Sequence, residues 1–494
     1  MRHPDVVVVG TGFSGIGAAI RLKQQGFDDF VVLERAHDVG GTWRDNTYPG
    51  CTCDVPSHLY SFSFEPNPRW SHSFSRQGEI WEYLRTCARR HGVMPHIRFG
   101  HELVSAAWDD ELDRWRIETT GGHFTARVLV TGVGALSEPS VPSIPGIETF
   151  RGTVFHSASW NHDHDLAGER VAVIGTGASA IQFVPEIQPR VGRLLLFQRT
   201  PPWVVPRRDR RLRAFEQRLY RVAPAVQRLA RLGIYWGREA MFVGFGIDTR
   251  LQRGPERMAR RHLRRQVPDR TLRKKLTPDY TIGCKRILLS NDYYPALAQP
   301  NVEVITDRIQ EVREHSIVTA DSVEHEIDTI IFGTGFHVTD MPAAKRLRGR
   351  GGVLLADAWR DGMGAYRGTT IAGFPNLFML VGPNTGLAHT SLVFMIECQI
   401  AYVMDCLRYM RRSRVATVEV KPEVQARYCD DVHARMQRTV WVTGGCVSWY
   451  LDAAGRNTTL WPNFTWRFRQ LTRRFDPQSY LVNAGARDRE AVAA

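Results

Sequence analysis

Residues 5–34, DVVVVGTGFSGIGAAIRLKQQGFDDFVVLE, leave this chain little choice of fold. Four consecutive valines, Val6 to Val9, predict a strand covered on both faces, as in a parallel sheet between two layers. Gly10, Gly12 and Gly15 follow in G-x-G-x-x-G spacing. A helical pattern then runs from Ser14 to about Gln25, and a second apolar strand, Phe30 to Leu33, ends in Glu34. Strand, glycine turn, helix and acid-tipped strand make a dinucleotide-binding unit. The glycines let a pyrophosphate approach the free N–H groups of a helix N-terminus, and the acid accepts hydrogen bonds from a ribose. An acid there repels a 2′-phosphate, so Glu34 points to FAD or NAD.

Residues 171–198, VAVIGTGASAIQFVPEIQPRVGRLLLFQ, repeat the plan with Gly175, Gly177 and Ala180, and Ser179 lies in the turn. Here the last strand runs into Arg199 and Thr200 instead of an acid. Arginine pairs with a 2′-phosphate through charge-assisted hydrogen bonds, so this unit is expected to take NADPH. Two such units predict an α/β fold with two Rossmann-like domains, built to pass a hydride from nicotinamide to flavin.

Several motifs then carry a resemblance. Gly40-Gly41-Thr42-Trp43 resembles the second FAD contact region of flavin-dependent monooxygenases. With Tyr48-Pro49-Gly50, Asp54 and Tyr60, the stretch resembles the Baeyer–Villiger monooxygenase family, which uses FAD and NADPH. Phe150, Gly152, His156 and Trp160 fit F-x-G-x-x-x-H-x-x-x-W, similar to the signature of the type I enzymes, with Asn161 where Pro or Asp is usual. Lys285-Arg286 ahead of Tyr293-Tyr294 resembles the segment holding that family's active-site arginine. Gly382-Pro383-Asn384 resembles a turn beside the flavin, and the stretch from Gly445 to Pro462 resembles relatives acting on aryl and other bulky ketones. Dithiol flavin reductases share the fold, but they carry C-x4-C where Cys51 and Cys53 stand one residue apart.

The resemblance implies that FAD is held by Gly10, Gly12, Gly15, Glu34, Gly41, Thr42, Trp43, Asp54, Tyr60 and Asn384. NADPH would be held by Gly175, Gly177, Ser179, Arg199, Thr200 and Lys285. Arg286 would sit over the flavin and face the negative charge of a flavin peroxide attacking a ketone, while Asp54 fixes the arginine. His156 would order the inter-domain linker rather than transfer protons. The implied partners are molecular oxygen and a ketone, bulky or lipophilic ketones included, with an ester or lactone as product. Oxygenation of a sulfide or amine is the alternative within the same superfamily.

The formal charge of +14 and pI near 9.7 raise a different class, a nucleic-acid or membrane-surface binder. The charge is local. Residues 207–275 hold 19 arginines and two lysines against six acids, an excess of 15, which leaves −1 for the rest. No nucleic-acid partner is therefore expected. The stretch reads as a mostly helical insertion in the NADPH domain, either a solvated basic face or, through the apolar run Ala240 to Ile247, a contact for an anionic membrane surface. The expected division is an FAD domain of 1–140 and 326–480, an NADPH domain of 141–325, and a tail of 481–494. The proline-rich stretch 137–146 serves as a linker, and 328–336 is the strand and turn where the chain returns. Eight scattered cysteines are expected to be reduced, as in a cytoplasmic protein. No metal site and no membrane span are expected, since the longest uncharged stretch, 368–396, is broken by Gly, Pro, Asn and His.

Overall fold

Val6–Val9 forms the centre of a five-stranded parallel sheet in the order Leu377–Met379, Val128–Thr131, Val6–Val9, Phe30–Leu33, Ile97–Arg98. The structure, a computed structural model, describes residues 3–484. The run of valines is explained by what lies on each side. Val6 and Val8 pack with Ile16 and Ile20 of the helix Phe13–Gln24 and with Ile400 and Val403 of the helix Leu392–Arg412. Val7 and Val9 pack against Trp108, Trp115, Ile117 and Phe124 of an antiparallel sheet. Alternate side chains thus enter two different cores, and no position can be polar.

A second parallel sheet has the order Val302–Ile305, Arg193–Phe197, Arg170–Ile174, Thr329–Phe332, Thr153–His156. Val171 and Val173 meet the helix Ala180–Ile187 on one face, while Ala172 and Ile174 meet Ile317 and Ile327 on the other. The first sheet is built from both ends of the chain, since Leu377–Met379 pairs with Val128–Thr131. The two crossings between the sheets lie side by side. Ser140 N donates to Gly335 O at 2.9 Å, His337 N to Glu138 O at 3.0 Å, and Thr334 Oγ1 to Ser140 O at 2.6 Å.

The stretch 207–275 is helical, as its pattern predicts, with helices Ala214–Val222, Pro224–Phe242, Arg253–Gln266 and Arg270–Lys275. Its apolar run is not displayed to solvent as a whole: Phe242 and Phe245 are buried against Trp441 and Tyr450. The reason is tertiary, because the insertion folds back over the junction of the two sheets and turns this run inward. At the C-terminal end, residues 481–484 belong to the strand Tyr480–Ala484, which pairs antiparallel with Val415–Val420. The rest of the expected tail lies outside the described residues. Among the described residues, no helix is long and apolar enough to cross a membrane.

A second expectation is corrected here. Six cysteines are free, but Cys284 and Cys446 form a disulfide across a separation of 162 residues. Folding brings the turn before Lys285 against the loop around Gly444, a proximity invisible in the spacing of cysteines along the chain.

Candidate active site

The first glycine turn is closed by steric necessity. Gly10 has φ +97°, and a Cβ there would stand 2.7 Å from Gly132 O, while a Cβ at Gly15 would stand 1.8 Å from Gly10 O. The start of the helix Phe13–Gln24 has no side-chain cap and lies beside Gly41. Glu34 is buried at the strand end and accepts from Thr11 N (3.0 Å), Thr11 Oγ1 (2.5 Å) and Ala36 N (3.0 Å). Arg44, which the motif reading missed, ion-pairs with Glu34 at 3.0 Å and donates to Asp38 O at 2.6 Å. Thr42 and Trp43 open a short helix after Gly41, and Trp43 Nε1 donates to the Tyr60 hydroxyl at 3.1 Å. The cradle of bare glycines around a buried carboxylate fits a dinucleotide with an unphosphorylated ribose.

Asn384 is differently employed than expected. Its amide donates to Asn457 O (3.1 Å) and Leu460 O (3.0 Å), so both N–H groups are committed to the C-terminal loop. It holds a turn at φ 54°, a conformation asparagine tolerates, and offers no free amide donor to a flavin.

In the second unit, Gly175 has φ +108° and packs on Gly333 O, 2.5 Å from where its Cβ would be. Ser179 stands at the N-cap of Ala180–Ile187 without capping it through its side chain. Arg199 is exposed beyond the strand end, and Thr200 O accepts from Thr176 Oγ1 at 3.3 Å. Lys285 comes close enough to Arg199 to feel its charge: burial and that like charge push its ammonium down, against a smaller pull from Asp279. Neither cation has an ion-pair partner among the described residues. Two converging, unpaired cations fit a phosphate.

The two units meet through the Tyr-Pro-Gly motif. Gln182 of the second unit's helix accepts from the Tyr48 hydroxyl and Thr52 N, each at 3.1 Å, and donates to Thr52 O at 3.0 Å. Gly50 lies so close that a Cβ would stand 2.6 Å from Gln182 O. The same loop delivers Asp54, whose oxygens accept from Arg286 Nε and Nη2, both at 2.7 Å. Arg286 is pushed up by the Asp54 charge, which outweighs its own burial. Burial alone would raise the Asp54 carboxyl, but the Arg286 charge and hydrogen bonds hold it below the usual carboxylate range. The remaining nitrogen, Nη1, makes a long contact of 3.4 Å to Leu387 O, and the buried Tyr450 hydroxyl lies close enough to the guanidinium to interact with it.

His156 ends the edge strand Thr153–His156. Its Nδ1 accepts from Ala158 N at 3.0 Å, and its buried ring also interacts with the Gly335 backbone at the returning turn. Its ring lies edge-on to Phe336, 5.8 Å away, at the turn where the chain crosses back. Burial lowers its pKa, favouring neutral imidazole. Gly152 fits under Asp328 O, 2.1 Å from where its Cβ would be, and Trp160 packs on Phe155 and Phe183. Phe150 packs partly buried against the core on the other face of the sheet. The fingerprint thus stands at the crossing, remote from the Asp54–Arg286 pair in hydrogen-bonding terms.

A cavity of about 280 Å³ opens beside Asp54 and Arg286. Its far wall comes from the insertion and is largely apolar: Met241, Val243, Phe245, Leu251 and Met258. Arg238 and His389 complete it. His389 Nε2 lies 3.3 Å from the buried Glu239 carboxylate, which also accepts from Thr465 N and Oγ1. Met241, Val243 and Phe245 belong to the apolar run read from the sequence as a surface contact, whereas Arg238, Leu251 and Met258 were not singled out at all. The available signal was helical spacing: Arg231, Tyr235, Arg238 and Phe242 share one face of Pro224–Phe242.

Comparison with known proteins agrees with this geometry. Residues 3–216 match the family model of flavin-binding monooxygenase-like proteins. A Baeyer–Villiger monooxygenase of Streptomyces coelicolor is 55% identical over 484 residues, which are 97% of this chain and 93% of that protein. The chain belongs to the Baeyer–Villiger monooxygenase family. A family member from Pseudomonas aeruginosa is 52% identical over 97% of this chain and 91% of its own. Closed cyclohexanone monooxygenase superposes with a TM-score of 0.87 at 28% identity, covering 98% of this chain and 100% of that one. The OTEMO complex with FAD and NADP gives 0.87 at 26% identity over 97% and 99%.

Proposed function

We infer that the chain is an FAD-dependent monooxygenase that uses NADPH and O2 to convert a ketone into an ester or lactone. The balance is ketone + O2 + NADPH + H+ giving ester, water and NADP+; one oxygen atom enters beside the carbonyl carbon and the other leaves as water. The observation that carries this reading is a guanidinium clamped by a carboxylate at the wall of an apolar cavity, where two dinucleotide units meet. Family membership and the likeness to the OTEMO complex with FAD and NADP support it.

FAD would be held by Gly10, Gly12, Gly15, Glu34, Gly41, Thr42, Trp43 and Tyr60, and NADPH by Gly175, Gly177, Ser179, Arg199, Thr200 and Lys285. Bound there, FAD supplies hydride acceptance from NADPH and activation of oxygen. The chain itself supplies a fixed positive charge. Arg286 keeps its proton at any working pH, and two of its nitrogens are spent on Asp54. That leaves Nη1 to meet negative charge growing on an oxygen in the cavity, at no cost in reorganisation. The apolar wall keeps water away and strengthens that interaction. His156 orders the crossing segments and stays neutral.

Arg286→Ala tests the assignment. The holoenzyme should keep FAD and oxidise NADPH, yet release hydrogen peroxide in place of ester. Unchanged ester yield would overturn the role of Arg286. Product analysis with a ketone and a sulfide side by side separates ketone oxidation from heteroatom oxygenation.

The finer partner reading concerns the insertion. Phe215, Val222, Leu229 and Trp236 stand 62%, 72%, 67% and 52% exposed on the helices Ala214–Val222 and Pro224–Phe242. Arg213, Arg218, Arg221 and Arg228 are exposed among them. This apolar and basic face suits an anionic bilayer surface, which would deliver lipophilic ketones. Sedimentation should show binding to vesicles containing phosphatidylserine and its loss in Leu229→Glu/Trp236→Glu. Equal recovery of both proteins in the supernatant would remove the idea.

A further inference from the structure

Arg231 and Arg238 lie two turns apart on the inward face of one helix, and their surroundings differ sharply. Arg231 Nη1 is surrounded by oxygens: His58 O at 2.6 Å, Ser61 O at 3.0 Å, Ser61 Oγ at 3.2 Å and Leu59 O at 3.4 Å. The Glu397 carboxylate stands 3.9 Å away. Arg238, half-buried in the cavity wall, has no hydrogen bond or ion pair among the described residues. The acidic charge that acts on it most is Asp54, and both oxygens of Asp54 are taken by Arg286. Burial pushes the Arg238 guanidinium down, and the Arg286 charge adds to this against the pull of Asp54. Asp54 thus balances one arginine, and the cavity retains one uncompensated cation among apolar side chains.

A cation half-buried in an apolar wall without a partner carries a desolvation cost that an arriving anion offsets. The cavity already receives the substrate, so the missing anion can arrive with it. We propose that the preferred substrate is a ketone bearing a carboxylate, and that Arg238 pairs with that carboxylate while the carbonyl faces Arg286. A planar five-donor fork suits a carboxylate, which it can grip bidentately. Arg238 then sets specificity and orientation, and Arg286 serves the oxygen transfer. The proposal rests on the ketone-oxidation reading above.

The test uses FAD-loaded enzyme, wild type, Arg238→Gln and Arg238→Lys. Two substrates are compared: a linear methyl-ketone acid and its neutral methyl ester. In the wild type, kcat/KM for the acid should exceed that for the ester, and Arg238→Gln should shrink the ratio by about 30-fold or more, the usual effect of removing one member of a buried charge pair. Arg238→Lys should recover part of the ratio. Titration calorimetry with octanoate, which cannot be oxidised, reads the carboxylate site without turnover; its affinity should fall in Arg238→Gln. A ratio near one in the wild type, or unchanged in Arg238→Gln, would overturn the proposal. A raised KM for NADPH with the ratio intact would overturn it too, by assigning Arg238 to the cofactor. Arg238-dependent octanoate binding without oxidation of either ketone would instead fault the ketone-oxidation reading.

Discussion

Replacing Asp54 by asparagine keeps the shape of the site and removes one charge. Both Asp54 oxygens accept from Arg286 at 2.7 Å. Two unit charges roughly 4 Å apart attract by ~4 kcal/mol at an effective dielectric near ~20. The two side chains are 27% and 25% exposed, and solvent screening trims the attraction to ~2–3 kcal/mol. Asparagine can accept one bond, but its NH2 group then faces a guanidinium N–H, so nothing replaces the second. If Arg286 works by being held in one place, ester formation should slow by about 30- to 140-fold, since ~1.4 kcal/mol is a factor of ten. The assay counts ester by gas chromatography and hydrogen peroxide by a peroxidase-coupled dye, each per NADPH consumed, in protein that retains its flavin absorbance. Ester should fall and peroxide rise. The Asp54 carboxyl lies below its ordinary range, so its charge is complete across the neutral range and is lost only as pH falls through the depressed value. The wild-type ester share should therefore show no step from this group between about pH 6 and 9. An Asp54→Asn enzyme with wild-type ester yield per NADPH would refute the reasoning.

Arg199→Ala should raise KM for NADPH by about tenfold or more while leaving NADH little changed, because only NADPH carries the 2′-phosphate; equal effects on both would count against that role. His58 is buried, takes a hydrogen bond from Gln227 Nε2 on Nδ1 at 3.2 Å, and has its pKa lowered to about 4 by burial and then by Arg231. Unfolded histidine titrates near ~6.5, so up to ~3 kcal/mol of stability should be present above that pH and drain away as pH falls toward 4. Thermal melts across this range should show the loss, and His58→Asn should flatten it. Peptide mapping without reductant should recover Cys284 joined to Cys446 and alkylate the other six cysteines; a free Cys284 would contradict the fold around Lys285.

The local plan was legible because it rests on short-range physics. A glycine turn, an all-apolar strand and an acid or arginine at a strand end each act within about 30 residues, as the βαβ unit does. Both units appear where those patterns stand, with Glu34 buried at one strand end and Arg199 beyond the other. The pairing of Asp54 with Arg286, 232 residues apart, followed from resemblance to relatives and not from spacing. Asn384 shows how far motif matching carries: the turn is there, but its amide is spent on Asn457 and Leu460.

By itself, the sequence determined two dinucleotide units, one ending in an acid and one in an arginine, and a basic helical insertion after the second of them. Only the tertiary structure decided what the insertion faces. Helical periodicity fixes which residues share a face, yet it says nothing about whether that face meets water, lipid or protein. Folding back over the junction puts Phe242 and Phe245 in a core and Met241 and Arg238 in the cavity wall, while Leu229 and Trp236 remain outside. The same long-range approach makes a disulfide of Cys284 and Cys446. Contacts across such distances along the chain depend on how whole layers pack, and no local pattern records them.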